Sequence, residues 1–406
     1  MLLLLVVLGL ITNASSMYAV EHLYPLGNKF KVSTDITIGS TLIENVILDT
    51  GSSTLWINEK LPGLGGLAGS TLTDDVFNGV YGDGTTAVGS VYINKISIGE
   101  LRYDNFKFSI AKSSSSRLNG IIGLCSKITE GDSLLERLSN DNNLNKKLFT
   151  IYYNDNLQSK GEVIFGEVDE QLYNHDVPIK WIEKVDLNSY WSVIVNYNNE
   201  EIHGIIDTGS SFLIVPASHL QHVCNELGLT VTGIFCSEYL CETPSKETFN
   251  LNINNQNLTI DIRNNFGVPI SNENNITCVP SIAGVGNEWI IGANVIRQYY
   301  TIWDFSDYSN RIGKVGFAKK INYNVIPELN ITAPTPATDT GTGSVSTTAV
   351  TTGSVSTTAV TTAVTTGGAR TTPTTSIVRT NMTMNNGNLI RPNFMFLGLI
   401  FFLAIL

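Results

Sequence analysis

One repeat constrains this 406-residue chain more than any other feature. The segment Asn45-Val-Ile-Leu-Asp-Thr-Gly-Ser-Ser-Thr-Leu-Trp-Ile57 returns as His203-Gly-Ile-Ile-Asp-Thr-Gly-Ser-Ser-Phe-Leu-Ile-Val215, offset by 158 residues and identical at 7 of 13 positions. Solenoid repeats recur at roughly 20–50 residues, so this period predicts two duplicated lobes. In each copy an apolar strand, ending Val46-Ile-Leu48 or Ile205-Ile206, runs straight into Asp-Thr-Gly. Gly51 and Gly209 allow the close backbone approach of a tight loop, which projects a carboxylate from a rigid strand end. Two such lobes facing one another bring Asp49 and Asp207 together. Paired carboxylates cannot both ionise freely, so one holds a proton that the other lacks. The charged member can then take a proton from water while the protonated member hydrogen-bonds a carbonyl. That chemistry calls for no metal, no cofactor and no covalent intermediate.

From Phe30 to about Phe317 short apolar runs, such as Val91–Ile98, Val163–Phe165, Trp191–Val195 and Ile202–Ile206, alternate with Gly, Asn, Asp and Ser clusters. This pattern predicts a mainly all-β fold. Helical patterns are few and short, the better candidates being Ser133–Leu138 and Ala217–Leu227, which follows Pro216. A formal charge of −11 with no Lys/Arg cluster excludes nucleic acid as a partner. His219-x-x-His222-x-Cys224 has a spacing one helix face could offer a metal. We read the two histidines as exposed and predict no metal. The Ser113–Ser116 run is read as a loop near the cleft.

The chain ends have a different character. Leu2–Ile11 is an apolar run followed by Ala14, Ser15 and Ser16, the pattern of a secretory signal over residues 1–16. Residues 326–384 read as a Ser/Thr-rich glycosylated stalk. Within it Gly-Ser-Val-Ser-Thr-Thr-Ala-Val-Thr-Thr, at 343–352, repeats at 353–362 without a large apolar residue. The chain finishes with 13 apolar residues from Phe394 to Leu406, too few for a stable span, behind the polar Asn385-Asn-Gly-Asn388. Residues 385–406 therefore read as a glycosylphosphatidylinositol attachment signal, which makes the membrane a partner through a lipid. Sequons at Asn257, Asn275, Asn330 and Asn381 suit a secretory route. Five cysteines imply disulfides in such a chain. Cys224, Cys236, Cys241 and Cys278 allow three pairings, and Cys125, after Ile121-Ile122-Gly123-Leu124, reads as a buried thiol.

Over about residues 28 to 320 the chain resembles the pepsin family of aspartic proteases, in particular its lipid-anchored fungal, yapsin-like surface members. The resemblance implies a bilobal fold, an N-terminal lobe over 17–177, a C-terminal lobe over 178–325 and an interlobe cleft. Asp49 and Asp207 match the catalytic pair, with Thr50, Gly51, Ser52, Thr208, Gly209 and Ser210 supporting it. The threonines would interlock beneath the pair, and the serines would bond the outer carboxylate oxygens. Tyr81-Gly82-Asp83-Gly84 matches the flap over the substrate, supported by Trp56, and Ser211 is expected to bind substrate as well. Gly120-Ile-Ile-Gly123 and Trp289-Ile-Ile-Gly292 match the strands that brace the catalytic loops. Arg297-Gln-Tyr-Tyr-Thr301 and Lys314-Val-Gly-Phe317 match the closing segment. Cys241–Cys278 resembles the common bridge and leaves Cys224–Cys236 as an extra one.

The implied activity is endopeptidase cleavage of protein or peptide substrates, by a monomer sensitive to pepstatin-type inhibitors. The alternative is an inactive surface protein that binds peptides or mediates adhesion. The presence of Asp49, Asp207 and Tyr81 favours the enzyme. The chain departs from the family pattern in having little room for an inhibitory propeptide and no cysteines between Trp56 and Tyr81. It also carries Ala293 where acid-active relatives carry Asp. Relatives with Ala there, such as renin, work closer to neutral pH, which predicts an optimum less acid than pepsin's. Asp83 has two readings, a carboxylate that pairs with a substrate Lys or Arg and a solvated turn residue.

Overall fold

Seven strands form the first sheet: β1 Ser33–Ile38, β2 Thr41–Asp49, β3 Leu55–Asn58, β4 Thr71–Val80, β5 Thr86–Ile98, β6 Leu101–Ser114 and β7 Gly120–Gly123. Their order in space is β1-β2-β7-β3-β6-β5-β4. The structure is a computed structural model that describes residues 32–321, without 62–66, 68, 83, 116–117, 126–131, 155–160, 186–189, 242–243, 245, 263–265, 273–274 and 311. The expected leader, stalk and anchor signal, with Asp83, Asn330, Asn381 and the Asn275 side chain, lie outside the described residues.

After helix α1 Leu134–Asn140 come β8 Leu148–Tyr152, β9 Glu162–Phe165 and β10 Lys180–Glu183. The second half opens with β11 Ser192–Tyr197, β12 Glu200–Ile206 and β13 Leu213–Val215, then helix α2 Leu220–Glu226. It continues through β14 Val231–Thr232, β15 Phe235–Cys236, β16 Tyr239–Leu240, β17 Thr248–Ile253 and β18 Gln256–Asp261. Then follow β19 Gly267–Asn272, β20 Asn275–Pro280, β21 Ile282–Gly284, β22 Trp289–Ile291 and helix α3 Ala293–Ile296. The nine-stranded sheet has the order β14-β15-β21-β13-β22-β12-β11-β17-β18, and β16, β20 and β19 form a smaller one. Finally β23 Tyr299–Asp307 and β24 Ile312–Lys319 join strands from both halves in the five-stranded sheet β10-β24-β23-β8-β9. The fold is thus the mainly β, two-lobed architecture that the repeat implies.

Local chemistry explains many of the connections. Asn198-Asn199 and Asn254-Asn255 all adopt positive φ between 46° and 63°, the twist of a two-residue primed hairpin, and they join β11 to β12 and β17 to β18. Ser133 caps α1 by accepting from Glu136 N, and its Oγ donates to Cys125 O at 2.9 Å. The Ser-x-x-Glu sequence there is a capping box in residue type. Two braces repeat across the halves. Strand β7 lies parallel to β2, placing Gly123 beside Asp49, and β22 lies parallel to β12, placing Ile291 beside Ile206. Phe149 stacks on Trp303 and meets Trp191 edge-on, while Trp191 Nε1 donates to Leu124 O at 3.0 Å, tying second-half and first-half segments in one core.

Two sequence expectations need correction. Ser113 and Ser114 are not loop residues but close strand β6 opposite Val88 and Ala87, because backbone pairing continues past the last apolar side chain. His219 is buried, not exposed, held between Tyr197 and Trp289 with Nε2 3.0 Å from Glu200 Oε2. His222 is exposed, and among the described residues no three His, Cys, Asp or Glu side chains are grouped to hold a metal.

Cys224 bonds Cys236, and Cys241 bonds Cys278. Cys125 is buried outside both bridges. The Cys224–Cys236 bridge fixes β15 to α2 across 12 residues of sequence. Loop-closure entropy makes such a link worth about 3 kcal/mol. Replacing both cysteines by Ala is therefore expected to lower stability by about that amount in urea denaturation. A loss below about 0.5 kcal/mol would mean that packing alone holds the hairpin.

Candidate active site

Asp49 is the last residue of β2, and Asp207 directly follows β12. Both are nearly buried, 5% and 8% exposed. The loops that carry them are locked together by their threonines. Thr50 N donates to Thr208 Oγ1 at 3.1 Å and Thr208 N to Thr50 Oγ1 at 2.9 Å. Each hydroxyl then donates onward to the strand of the other half, Thr50 Oγ1 to Ile206 O at 3.0 Å and Thr208 Oγ1 to Leu48 O at 2.8 Å. These are buried bonds between residues more than 150 positions apart. Leaving any of their donors unmet would cost about 1–3 kcal/mol, so the pair is stiff.

The glycines decide how close the carboxyls come. A Cβ on Gly51 would fall 2.5 Å from Asp207 Oδ1, and one on Gly209 would fall 2.3 Å from Asp49 Oδ1. Each carboxyl group therefore packs on the bare backbone of the opposite loop.

The two sides differ in their donors. Asp207 Oδ1 accepts from Gly209 N at 2.8 Å and Oδ2 from Ser210 Oγ at 2.6 Å. Asp49 Oδ1 accepts from Gly51 N at 2.8 Å. Ser52 lies close enough to favour the charged form of Asp49, yet its Oγ meets no acceptor with hydrogen-bond geometry among the described residues. Donors stabilise a charged carboxylate, and Asp49 has the fewer of them with good geometry. Burial, reinforced by the charge of Asp207, pushes Asp49 up from 3.8 to about 8.

Behind the first loop, Leu124 N donates to Asp49 O at 2.7 Å and Cys125 N to Ser52 O at 2.9 Å. Behind the second, Ala293 N donates to Ser210 O at 2.7 Å. Tyr81 leads the turn of the β4–β5 hairpin, where Tyr81 N donates to Thr85 O and Gly84 N to Tyr81 O, both at 2.9 Å. Gly84 takes φ +82°, a conformation that favours glycine. Gly82 is exposed with open space where a Cβ would project. Trp56 is buried against Phe77 and donates its indole N–H to Tyr81 Oη. Ser211 is 7% exposed, and its Oγ has no hydrogen-bond partner among the described residues.

Two further groups respond to the charges of the pair. Burial, and after it the charges of Asp49 and Asp207, pushes the Cys125 thiol well up. Tyr190 is raised by burial, then by Cys125, Asp49 and Asp207, which puts it within electrostatic reach of both carboxyls. Cys125 is the buried thiol that the sequence led us to expect, whereas Tyr190 belongs to no repeated segment and only the folded chain brings it forward.

Comparison with known proteins agrees with this geometry. Candidapepsin-1 of Candida albicans (strain WO-1) is 26% identical over 326 residues, 71% of this chain and 82% of that protein. Secreted aspartic protease 9 of Candida albicans (strain SC5314 / ATCC MYA-2876) is 24% identical over 289 residues, 62% of this chain and 51% of its own. Pepsin-3 of Oryctolagus cuniculus is 24% identical over 307 residues, 66% of this chain and 76% of its own. Residues 32–320, the whole two-lobed body with both Asp-Thr-Gly loops, match the eukaryotic aspartyl protease family, and the chain belongs to that family as an aspartic-type endopeptidase.

Proposed function

We propose that this protein is a secreted endopeptidase, held at its own cell's surface by a glycosylphosphatidylinositol lipid, in which Asp49 and Asp207 activate water to cut peptide bonds. The observation that carries the catalytic part is the unequal pair, two interlocked carboxyls of which Asp207 has the extra donor and Asp49 the raised pKa. Asp207 accepts a proton from the attacking water, and Asp49 donates its proton to the oxygen of the scissile carbonyl. The tetrahedral species collapses as the proton on Asp207 passes to the departing nitrogen and Asp49 recovers its own. No atom of the enzyme bonds to the substrate. Tyr81 and Gly82 cover an extended peptide, whose backbone hydrogen bonds give affinity while side-chain pockets give selectivity.

Secretion and anchoring are supported by the leader-like start, the Ser/Thr-rich stalk and the apolar end. Secreted relatives of this chain among the Candida proteases agree with export. The full chain, expressed on cells, is expected to cut a peptide library and to be blocked by pepstatin. Phosphatidylinositol-specific phospholipase C is expected to release it into the medium. Retention after phospholipase, with trypsin release intact, would favour a transmembrane tail instead.

The pH profile tests the dyad directly. Asp49 keeps its proton up to about 8, so hydrolysis should persist close to neutral pH and fall as pH rises through that value. Ala293, buried behind Ser210, adds no acid to the site. A profile that peaks at about pH 2 and is silent above pH 5 would contradict this assignment.

A further inference from the structure

We propose that the outer edge of β4 pairs with the same edge of a second copy of this chain, antiparallel and centred on Asn78. The Asp49–Asp207 site is assembled within one chain, so the pairing does not rest on the catalytic reading.

Strand β4 lies at the edge of the seven-stranded sheet and, among the described residues, pairs with β5 alone. Its far side therefore offers unpaired backbone groups, a template for another strand. The first half of that edge is guarded. The register shifts between Leu72 and Val76, and Asp74 and Asp75 lie in the shifted stretch, with Asp75 paired to Lys107. Bulges and charges are common ways of blunting an edge. The second half, Val76-Phe77-Asn78-Gly79-Val80, has neither a charge nor a proline. Val76 is 68% exposed and Val80 72%, and Val88, opposite Asn78 on β5, is 42% exposed. A single exposed aliphatic residue is ordinary. Three on one face of an open edge are not.

Backbone alternation decides what this edge presents. Tyr81 N donates to Thr85 O, so the odd-numbered residues from Phe77 to Tyr81 turn their N–H and C=O toward β5 and the even-numbered ones turn theirs away. Val76, Asn78 and Val80 thus point their backbone groups outward, and all three side chains are exposed. Laid antiparallel on itself about Asn78, the segment sets Val76 opposite the second copy's Val80 and Asn78 opposite its own counterpart. The three outward pairs would exchange about six backbone hydrogen bonds. Valine then meets valine and amide meets amide, and such cross-strand pairs add about 0.2–1 kcal/mol each. Asp74 falls opposite Gly82, so no like charges are opposed. This self-complementarity is what selects a second copy over a foreign strand. So short a contact stays below the roughly 1,200 Å² of a stable complex, and the dimer is weak and reversible. A net charge of −11 on each copy opposes the approach, so added salt should strengthen it.

The test is cysteine cross-linking of the purified full chain in detergent under mild oxidation, with the parent protein as background. Asn78→Cys should give a disulfide-linked dimer, because opposed residues of a hydrogen-bonded pair stand about 5.5 Å apart at Cα. Val76→Cys alone should give none, and Val76→Cys mixed with Val80→Cys should cross-link. Leu42→Cys, exposed on β2, reports chance collision. Adding Val76→Lys and Val80→Lys to Asn78→Cys sets lysine against lysine and should cut the dimer yield about tenfold. All of these side chains are exposed, so the variants should fold, which urea denaturation checks. Dimer yields no higher for Asn78→Cys than for Leu42→Cys would overturn the pairing. So would a dimer that survives the two lysines, or Val76→Cys linking to itself as readily as to Val80→Cys.

Discussion

Asp49→Asn is expected to reduce kcat by about 10³–10⁴-fold while the protein stays folded. The amide keeps the shape of the carboxyl and can still accept from Gly51 N, now bonded at 2.8 Å, but it has no acidic proton for the carbonyl oxygen. The same substitution should change how stability depends on pH, in a direction that follows from the raised pKa. Between about 3.8 and about 8 the unfolded chain has released the Asp49 proton and the folded chain retains it. Folding therefore takes up a proton, and stability falls as pH rises through that window. Asn has no proton to retain, so the variant should lose this slope and exceed the parent at pH 8 by as much as a few kcal/mol. Urea denaturation of both proteins at pH 5 and pH 8 measures the difference. Parallel pH dependence in the two proteins would show that Asp49 is not the protonated member, and the same pair of experiments on Asp207→Asn would then identify it.

Gly209→Ala should lower kcat/KM by at least about 100-fold, although it adds one methyl group to a residue that bears no reactive atom. The new Cβ would lie 2.3 Å from Asp49 Oδ1 and 2.6 Å from its Cγ. Neither partner can yield easily, because the Thr50–Thr208 interlock holds the loop and Gly51 N holds the carboxyl. The expected compromise is a carboxyl displaced by roughly 1 Å, enough to spoil alignment with the water and the carbonyl. Overpacking should also destabilise the fold by about 1–3 kcal/mol. Gly51→Ala meets Asp207 in the same way, at 2.5 Å, and should behave alike. Full activity in either variant would mean that the two loops are looser than the interlock implies, and a crystal structure of the variant would show where the methyl group went.

Local signals carried a large part of this protein before any fold was known. A strand that ends in Asp-Thr-Gly depends only on near neighbours, so both Asp-Thr-Gly loops could be read, and their duplication pointed to two lobes. The braces Gly120–Gly123 and Trp289–Gly292 came from the family resemblance, and in the fold a Cβ on Gly123 or Gly292 would meet backbone of the neighbouring loop at 2.3 and 2.0 Å. Alternating apolar residues and Asn or Gly turns likewise announced a β protein. What the residues alone left open depends on distant contacts. The cysteine pairing was chosen by which backbones meet, not by spacing. The burial of His219 comes from Tyr197 and Trp289, contributed by two separate strands. Even the end of β6 was set by its partner across the sheet. The clearest case is the dyad itself. Two identical Asp-Thr-Gly-Ser-Ser segments predict two equivalent acids, yet Ser210 Oγ donates to Asp207 Oδ2 at 2.6 Å whereas Ser52 Oγ meets no acceptor with hydrogen-bond geometry among the described residues. Burial and the neighbouring charge raise Asp49, an effect no local sequence carries, because the free energy of a charge depends on what surrounds it in three dimensions.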